Sequence, residues 1–339
     1  MKRSRNASLK HLNSFSVEAV ADRILELESE QDLHDFAAEY KFDPEHDLIL
    51  GGGSNVLFAA NLEGSLILNR VTGRRIIDES ANGVLVEALA GENWHQLVLW
   101  SLDQGLSGIE NLSLIPGLTG AAPIQNIGAY GVELADVLES VQVLDLQTGS
   151  FREFTKDECH FAYRDSRFKS LDAGRYLITA VRLYLQRSFT PRLEYAGVAT
   201  ELQTMGVTRP TARQVSDAVI RIRQRKLPDP AIIGNAGSFF KNPLVGRQTA
   251  DRLATEFCEL PSYPQDDGNV KLSAAWMIDE CGWKGHREGD AGVSDQHALV
   301  LVNYGSASGR HLLDLANAIA DSVRDRFGVE LTPEPKIIQ

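Results

Sequence analysis

Ile109-Glu-Asn-Leu-Ser-Leu-Ile-Pro-Gly-Leu-Thr-Gly-Ala-Ala-Pro-Ile-Gln-Asn-Ile-Gly-Ala-Tyr-Gly131 is a run of 23 residues that keeps neither a helical nor a strand period. Four are glycine, two are proline, and only Glu110 is charged. Long loops without secondary structure are uncommon in compact domains, and those that run over a surface are usually polar. A small, apolar, glycine-rich loop is explained by backbone laid against a large flat ligand, with Gln125 and Asn126 able to hydrogen-bond its edge. The alternative is a buried structural loop.

A second glycine-rich segment, Gly51-Gly-Gly-Ser-Asn-Val-Leu-Phe58, follows a short apolar strand expected over Asp47–Leu50. Successive backbone N–H groups in such a turn form an anion-binding concavity, and Ser54 and Asn55 add donors. The turn lacks the Gly-Lys-Ser/Thr ending of a P-loop and the GxGxxG spacing of a dinucleotide fold. Taken alone, a plain turn explains it equally well.

Around these loops the pattern alternates between strand and helix. Ser29 and Asp32 read as a capping box for a helix with Leu33, Phe36, Ala37 and Tyr40 on one face. Strands are expected over Ser65–Val71, Gly83–Leu89, Val137–Leu146, Tyr176–Gln186 and His297–Asn303. Glu92–Gln104 reads as a helix ended by Gly105, and another carries Val215, Ala218, Val219 and Ile222. Further helices fall near 249–258 and 273–281. A long last helix places Leu312, Leu315, Ala316, Ile319, Val323 and Phe327 in register, before an extended tail. No regular βαβ alternation appears, so the class is α+β rather than a doubly wound sheet. The length of 339 residues suggests two or three domains.

A third segment concentrates chemistry. Lys226-Leu-Pro-Asp-Pro230 stops a helix, and Gly234-Asn-Ala-Gly-Ser-Phe-Phe-Lys-Asn-Pro243 follows closely. Gly237 allows the backbone to bring Ser238 to a bound partner, beside the apolar Phe239 and Phe240. A formal charge of −12 argues against a nucleic-acid or anionic-membrane surface. The three cysteines, Cys159, Cys258 and Cys281, lie far apart with no metal spacing, as in a reducing cytosol. No apolar stretch is long enough for a signal peptide core or a membrane span, so a soluble cytoplasmic chain is expected.

Gly51–Phe58, Ile109–Gly131, Tyr163-Arg-Asp-Ser166, Lys226–Pro230, Gly234–Pro243 and Leu331-Thr-Pro-Glu334 occur in an order that resembles the UDP-N-acetylenolpyruvoylglucosamine reductases. These are FAD enzymes of peptidoglycan precursor synthesis, and the likeness extends over nearly the whole chain. It is most specific in Pro-Ile-Gln-Asn-Ile-Gly-Ala-Tyr-Gly and Gly-Ser-Phe-Phe-Lys-Asn-Pro, and it places the chain with the long-loop branch. It implies a two-part FAD-binding module of the vanillyl-alcohol-oxidase-like class, followed by a C-terminal α+β substrate domain. The implied parts are 1–71 and 72–210 for the flavin and 211–327 for the substrate, with the tail 328–339 returning to 72–210. FAD is implied to be non-covalent, with NADPH as hydride donor, UDP-N-acetylglucosamine enolpyruvate as substrate, and no metal. The chain is expected to act as a monomer.

The resemblance carries cofactor contacts onto Gly51, Gly52, Gly53, Ser54, Asn55, Ser113, Pro116, Gly117, Gly120, Gln125, Asn126 and Gly128. It carries catalysis onto Arg164, Ser238 and Glu334, and substrate contacts onto Tyr195, Lys226, Asn242 and His297. The chemistry agrees with those residue types. An enol ether accepts hydride only if charge can flow into the adjoining carboxylate, and each well-placed donor there lowers the barrier by ~3–4 kcal/mol. Arg164 is a natural bidentate partner for that carboxylate, Glu334 would donate a hydrogen bond to it in protonated form, and Ser238 would protonate the neighbouring carbon. Lys226, or water near it, would help restore the proton.

Each residue also has a plainer reading. Arg164 could pair with Asp165 on the surface, Glu334 could be solvated in a proline-flanked tail, and Lys226 could serve a helix C-terminus. Tyr195-Ala196-Gly197 departs from the Tyr-Gly-Asp frequent in the long-loop branch, and His297 stands where some members have glutamine. His297 is either a substrate contact or a structural strand residue. A Ser–His–Asp hydrolase would need a nucleophile elbow that Gly-Ser-Phe-Phe does not supply. A flavin oxidase and a non-catalytic nucleotide-sugar binder are the other rivals.

Overall fold

The computed structural model describes residues 1–195 and 197–339. The chain forms two compact units. One comprises Met1–Ala7, Ala21–Gly53 and Leu62–Gln224, and the other Ser8–Val20, Ser54–Asn61 and Arg225–Gln339.

In the first unit, helix α1 (Glu30–Glu39) opens at Ser29, whose hydroxyl accepts the Asp32 N–H at 3.1 Å. The Asp32 carboxylate accepts from Glu28 N–H, one residue ahead of the cap, at 2.8 Å. Leu33 and Phe36 on α1 pack with Leu25, Leu27 and Ile67. Those three residues belong to a sheet ordered Lys2–Ser8, Val20–Leu27, Leu62–Asn69, Leu48–Leu50, in which the last three strands run parallel. Leu48–Leu50 therefore delivers the Gly51–Gly53 turn at the carboxyl end of a parallel sheet, where ligands of α/β sheets usually lie.

A second, antiparallel sheet is ordered Ser150–Thr155, Leu138–Asp145, Tyr176–Gln186, Gly83–Leu89, Arg74–Glu79. Helix α2 (Trp94–Asp103) is capped by Asn93, and its Trp94, Leu97 and Val98 share a core with Val84, Val86, Val181, Leu183 and Leu185. Helices α3 (Val198–Thr204) and α4 (Ala212–Lys226) join through Val198, Leu202, Val215, Ala218, Val219 and Ile222.

The second unit holds a sheet ordered Gly234–Ser238, Val300–Asn303, Ala291–Val293, Arg287–Glu288, and helices α5 (Arg247–Glu256), α6 (Ala274–Glu280) and α7 (Gly309–Phe327). The six apolar α7 residues picked out by period are all buried, and Gly328 ends the helix at a φ of +68°. No helix among the described residues is long and apolar enough to cross a membrane.

The tail strand Lys336–Ile338 pairs in parallel with Val56–Phe58, and both strands lie in the second unit. Strands Arg74–Glu79 and Ser150–Thr155 were not foreseen, because both are sheet edges whose side chains are mostly exposed and carry little apolar alternation. Helix α3 was also missed; at seven residues it is too short to show a period.

Candidate active site

In the first unit the two glycine-rich segments lie against each other. A Cβ on Gly51 would stand 2.9 Å from Ala121 Cβ, and one on Gly52 would stand 2.9 Å from Gly117 Cα. Gly120 is as tightly held, since its Cβ would come within 2.5 Å of Ala90 Cβ. The long loop is fastened by backbone bonds from Gly120 N–H to Ala90 (2.9 Å), Thr119 N–H to Glu92 (2.8 Å) and Trp94 N–H to Gly117 (3.1 Å). Its interior is not irregular throughout: Glu110–Leu112 and Thr119–Gln125 are 3₁₀ turns, and Gly128–Ala129 forms a short hairpin with Val132–Glu133. Leu112, Ser113, Thr119, Ala122, Pro123, Asn126 and Ile127 face inward, whereas Pro116, Gly117, Gly120, Gln125 and Gly128 remain partly or wholly open. The result is a partly exposed strip of small residues packed beside the glycine turn.

Holding that strip costs strain. Of the seven non-glycine residues with positive φ among those described, Leu114 (+58°), Asn126 (+45°) and Tyr130 (+50°) lie in the loop, and Arg164 (+53°) is a fourth. Each such residue costs about 1–3 kcal/mol and persists only where its surroundings over-determine it. The surroundings here are specific. Leu114 N–H donates to His95 Nδ1 on α2 at 3.0 Å, and Leu114 C=O accepts from Arg223 Nε on α4 at 3.2 Å. Ser113 Oγ donates to Glu110 C=O and meets Ser216 Oγ on α4, both at 2.7 Å. Asn126 Nδ2 donates to Glu133 and Ala162, while its Oδ1 accepts Ala135 N–H. The side chains of Ser113 and Asn126 are thus spent on the loop's own shape. Burial, and then the Arg223 charge, hold the His95 imidazole below its ordinary pKa, which keeps Nδ1 available as an acceptor.

Arg164 sits at the second central position of a tight turn closed by backbone bonds between Ala162 and Asp165, both at 3.1 Å. Its Nη2 donates to Gly128 C=O at 2.7 Å, and a Cβ on Gly128 would stand 2.9 Å from its Nη1. The Asp165 carboxylate is taken by Ser166 N–H (2.9 Å) and the Ser170 hydroxyl (2.6 Å). Arg164 is therefore drawn to the open strip through Gly128. Tyr195 is 54% exposed, with its ring edge-on to Tyr130 at 5.5 Å. Ala196, the next residue of the Tyr195 segment, lies outside the described residues.

The second unit assembles another group. Ser238 ends strand Gly234–Ser238 at a register shift against Val300–Asn303, just after Gly237 at a φ of +70°. Asn235 stabilises this bulge: its Oδ1 accepts Gly237 N–H, and its Nδ2 donates to Pro228 and Ile233 carbonyls. The next two residues, Phe239 and Phe240, are fully buried and anchor the strand. On one side Phe239 N–H donates to Leu299 C=O at 2.7 Å, and on the other Phe239 C=O accepts Glu334 N–H at 2.8 Å. Asn55 Nδ2 donates to Glu334 C=O at 3.3 Å, so the turn residue and the tail are joined within this unit. Asn242 Oδ1 caps the start of α6 through Ala274 N–H at 3.0 Å. His297 Nδ1 accepts Leu299 N–H at 3.2 Å, and burial, with Lys226 and Lys284 nearby, keeps its pKa low. Ser238, Glu334, Asn55 and the His297 segment are brought together by these backbone and side-chain bonds. No group of His, Cys, Asp and Glu among the described residues could hold a metal ion.

Residues 229–338 match the C-terminal domain of UDP-N-acetylenolpyruvoylglucosamine reductase, and residues 21–155 match an FAD-binding domain. The UDP-N-acetylenolpyruvoylglucosamine reductase of Pseudomonas aeruginosa is 50% identical over 98% of this chain and 98% of its own. That of Xanthomonas euvesicatoria pv. vesicatoria is 50% identical over 99% and 96%. The chain belongs to the UDP-N-acetylenolpyruvoylglucosamine reductase family. The solved Thermus caldophilus reductase, 26% identical, covers 100% of this chain and 98% of its own with a TM-score of 0.66. The chain is accordingly an FAD-dependent oxidoreductase with a flavin-binding module and a C-terminal reductase domain, as the order of motifs implied. The glycines of the turn are required by its close packing on Gly117 and Ala121, which sets the turn and the long loop side by side.

Sequence reasoning passed over the residues that hold these side chains. Arg223 is one of five cations on α4, though it follows buried Ile222 and lies four residues beyond buried Val219, on the inward side of the helix. His95, Tyr130 and Asn111 had no local signal, because their partners are distant in the chain; Asn235 bonds within seven residues of itself, but nothing in its identity marks a bulge.

Proposed function

We propose that the chain reduces UDP-N-acetylglucosamine enolpyruvate to UDP-N-acetylmuramate with NADPH as the reductant. What supports this most directly is the placement of Ser238 and Glu334 on adjoining backbone segments, with Ser238 presented by a braced bulge. When bound, FAD supplies hydride transfer from NADPH to the enolpyruvyl methylene carbon. Arg164 grips the substrate carboxylate with its guanidinium fork and takes up the charge that develops there. Glu334, as the acid, donates a hydrogen bond to the same carboxylate, and the Ser238 hydroxyl gives its proton to the neighbouring carbon. Hydride and proton together saturate the double bond, and Lys226 or a water beside it returns a proton to Ser238.

Gly51–Gly53, Pro116, Gly117, Gly120, Gln125 and Gly128 are assigned to the flavin through the strip they line, with Ser54 and Asn55 as turn donors. Ser113 and Asn126 serve it by shaping the loop. Lys226, Asn242, His297 and Tyr195 are assigned to the sugar nucleotide. By function, 1–71 and 72–210 carry the flavin and 211–327 the substrate. The protein is taken to work in the cytoplasm as a monomer, away from nucleic acid and membrane.

Anaerobic absorbance tests this reading in two halves. NADPH bleaches the flavin, and the enolpyruvyl substrate then restores its colour stoichiometrically. Ser238→Ala leaves bleaching nearly normal and slows recovery by orders of magnitude. Equal slowing of both halves would mean that Ser238 is structural.

A further inference from the structure

We infer that Tyr130 is a positioning residue, the seat on which Tyr195 rests, and that Asn111 holds the seat and the Tyr195 segment in register. The inference rests on the reading of Tyr195 as a sugar-nucleotide contact. Three observations in the first unit carry it. The two rings meet edge-to-face at 5.5 Å with planes 80° apart, the favoured geometry of an aromatic pair. Asn111 Nδ2 donates at once to Tyr130 C=O (2.8 Å) and to Arg192 C=O (3.0 Å), so one buried amide ties the two chain segments that bear the rings. Asn111 is fully buried and its Oδ1 has no hydrogen-bond partner, an unfavourable arrangement kept because Nδ2 serves both segments.

The stem below Tyr195 is fastened a second time. Arg192 Nη1 pairs with Asp136 at 2.5 Å, and the same carboxylate accepts Glu133 N–H at 3.2 Å, on the hairpin that follows Tyr130. Leu193 and Phe189 pack with Tyr130 onto the α3–α4 core. The segment is therefore anchored through Leu193, and Gly197 follows with a φ of +104°. Between those points the Tyr195 ring meets that of Tyr130. The left-handed backbone of Tyr130 aims its ring there, and Gly131 leaves room: a Cβ on it would already stand 3.7 Å from Tyr195 Cβ. Tyr130 thus sets where Tyr195 waits, and the glycine-rich loop is coupled to sugar-nucleotide binding through it.

The test is a cycle of Tyr130→Leu, Tyr195→Ala and the double variant of the holoenzyme, with Tyr130→Phe as the conservative rescue. Two readouts are the KM for the enolpyruvyl sugar nucleotide and the rate of chymotrypsin cleavage after Tyr195. Tyr130→Leu is expected to raise KM by about threefold to tenfold, the scale of a lost aromatic pair, and to speed cleavage. Tyr130→Phe returns both to near parental values. In the Tyr195→Ala background, Tyr130→Leu leaves KM where Tyr195→Ala alone put it.

Unchanged cleavage in Tyr130→Leu overturns the seat whatever happens to KM. So does an equal KM effect in both backgrounds, or a loss of NADPH-driven flavin reduction as large as the rise in KM. If cleavage responds but Tyr195→Ala leaves KM unaltered, the ring contact stands. What fails then is the assignment of Tyr195 to the substrate, and with it the coupling to binding.

Discussion

Replacing Gly52 by alanine isolates the packing of the two glycine-rich segments. The new Cβ would stand 2.9 Å from Gly117 Cα. Carbon atoms rest at about 3.5–4.0 Å, so the shortfall is roughly 0.6 Å or more. Neither atom can rotate away, because one is the first side-chain atom and the other is backbone. The turn and the loop must separate, at a cost of about 1–3 kcal/mol for an overpacked site. If the flavin requires the closed cradle, that cost appears in its binding and weakens FAD by roughly 5- to 150-fold. The assay is FAD titration of the apoprotein by quenching of flavin fluorescence, with urea unfolding alongside. Gly246→Ala is the control for FAD binding, since nothing lies within 4 Å of the added methyl group; its own stability cost, alanine at the α5 N-cap, is about 1 kcal/mol or less. A Gly52→Ala protein that loses stability but binds FAD within twofold of the parent would refute the cradle. One that loses neither would refute the packing argument itself.

Arg164→Gly should nearly abolish reoxidation of the flavin by substrate. It should change stability by less than about 1 kcal/mol, because relief of a left-handed backbone offsets the lost bond to Gly128; a stability loss above ~2 kcal/mol would mark Arg164 as structural. Asn235→Ala removes three hydrogen bonds that brace the Ser238 bulge and should cost about 2–4 kcal/mol in urea unfolding while slowing the substrate half-reaction. His95 bears on pH. Its folded pKa is depressed, so the unfolded chain takes up a proton first as pH falls below about 6.5. The stability it contributes is whole above that pH and is lost as pH drops toward the folded value. His95→Gln should flatten the acid limb of Tm against pH, and an unchanged limb would exclude His95 as its source.

The longer helices were legible because their signals are local. The apolar stripe of α7 repeats over several turns, and Ser29 announces a helix start within a few residues. The edge strands Arg74–Glu79 and Ser150–Thr155 carry no such pattern and exist because neighbours pair with them. The site divided in the same way. Glycines that must admit backbone or ligand were conspicuous in the long loop, whereas the residues that brace them were not. His95 lies 19 positions from Leu114, Arg223 lies 109 away, and Asn111 reaches Arg192 over 81. No window of sequence spans such pairs.

By itself the sequence determined the class of chain, the order of its motifs and the residue types able to stabilise and protonate a carbanion. It could do so because backbone-permissive glycines and reactive side chains declare themselves by identity. The tertiary structure decided what those residues are free to do. It spent the Ser113 and Asn126 side chains on loop shape, engaged Asp165 with Ser166 and Ser170, and drew Arg164 to Gly128. It also carried the tail back to Val56–Phe58, so that Glu334 N–H reaches Phe239. Hydrogen bonds are satisfied by whichever partner the fold brings within about 3 Å, and that choice belongs to three dimensions rather than to the order of residues.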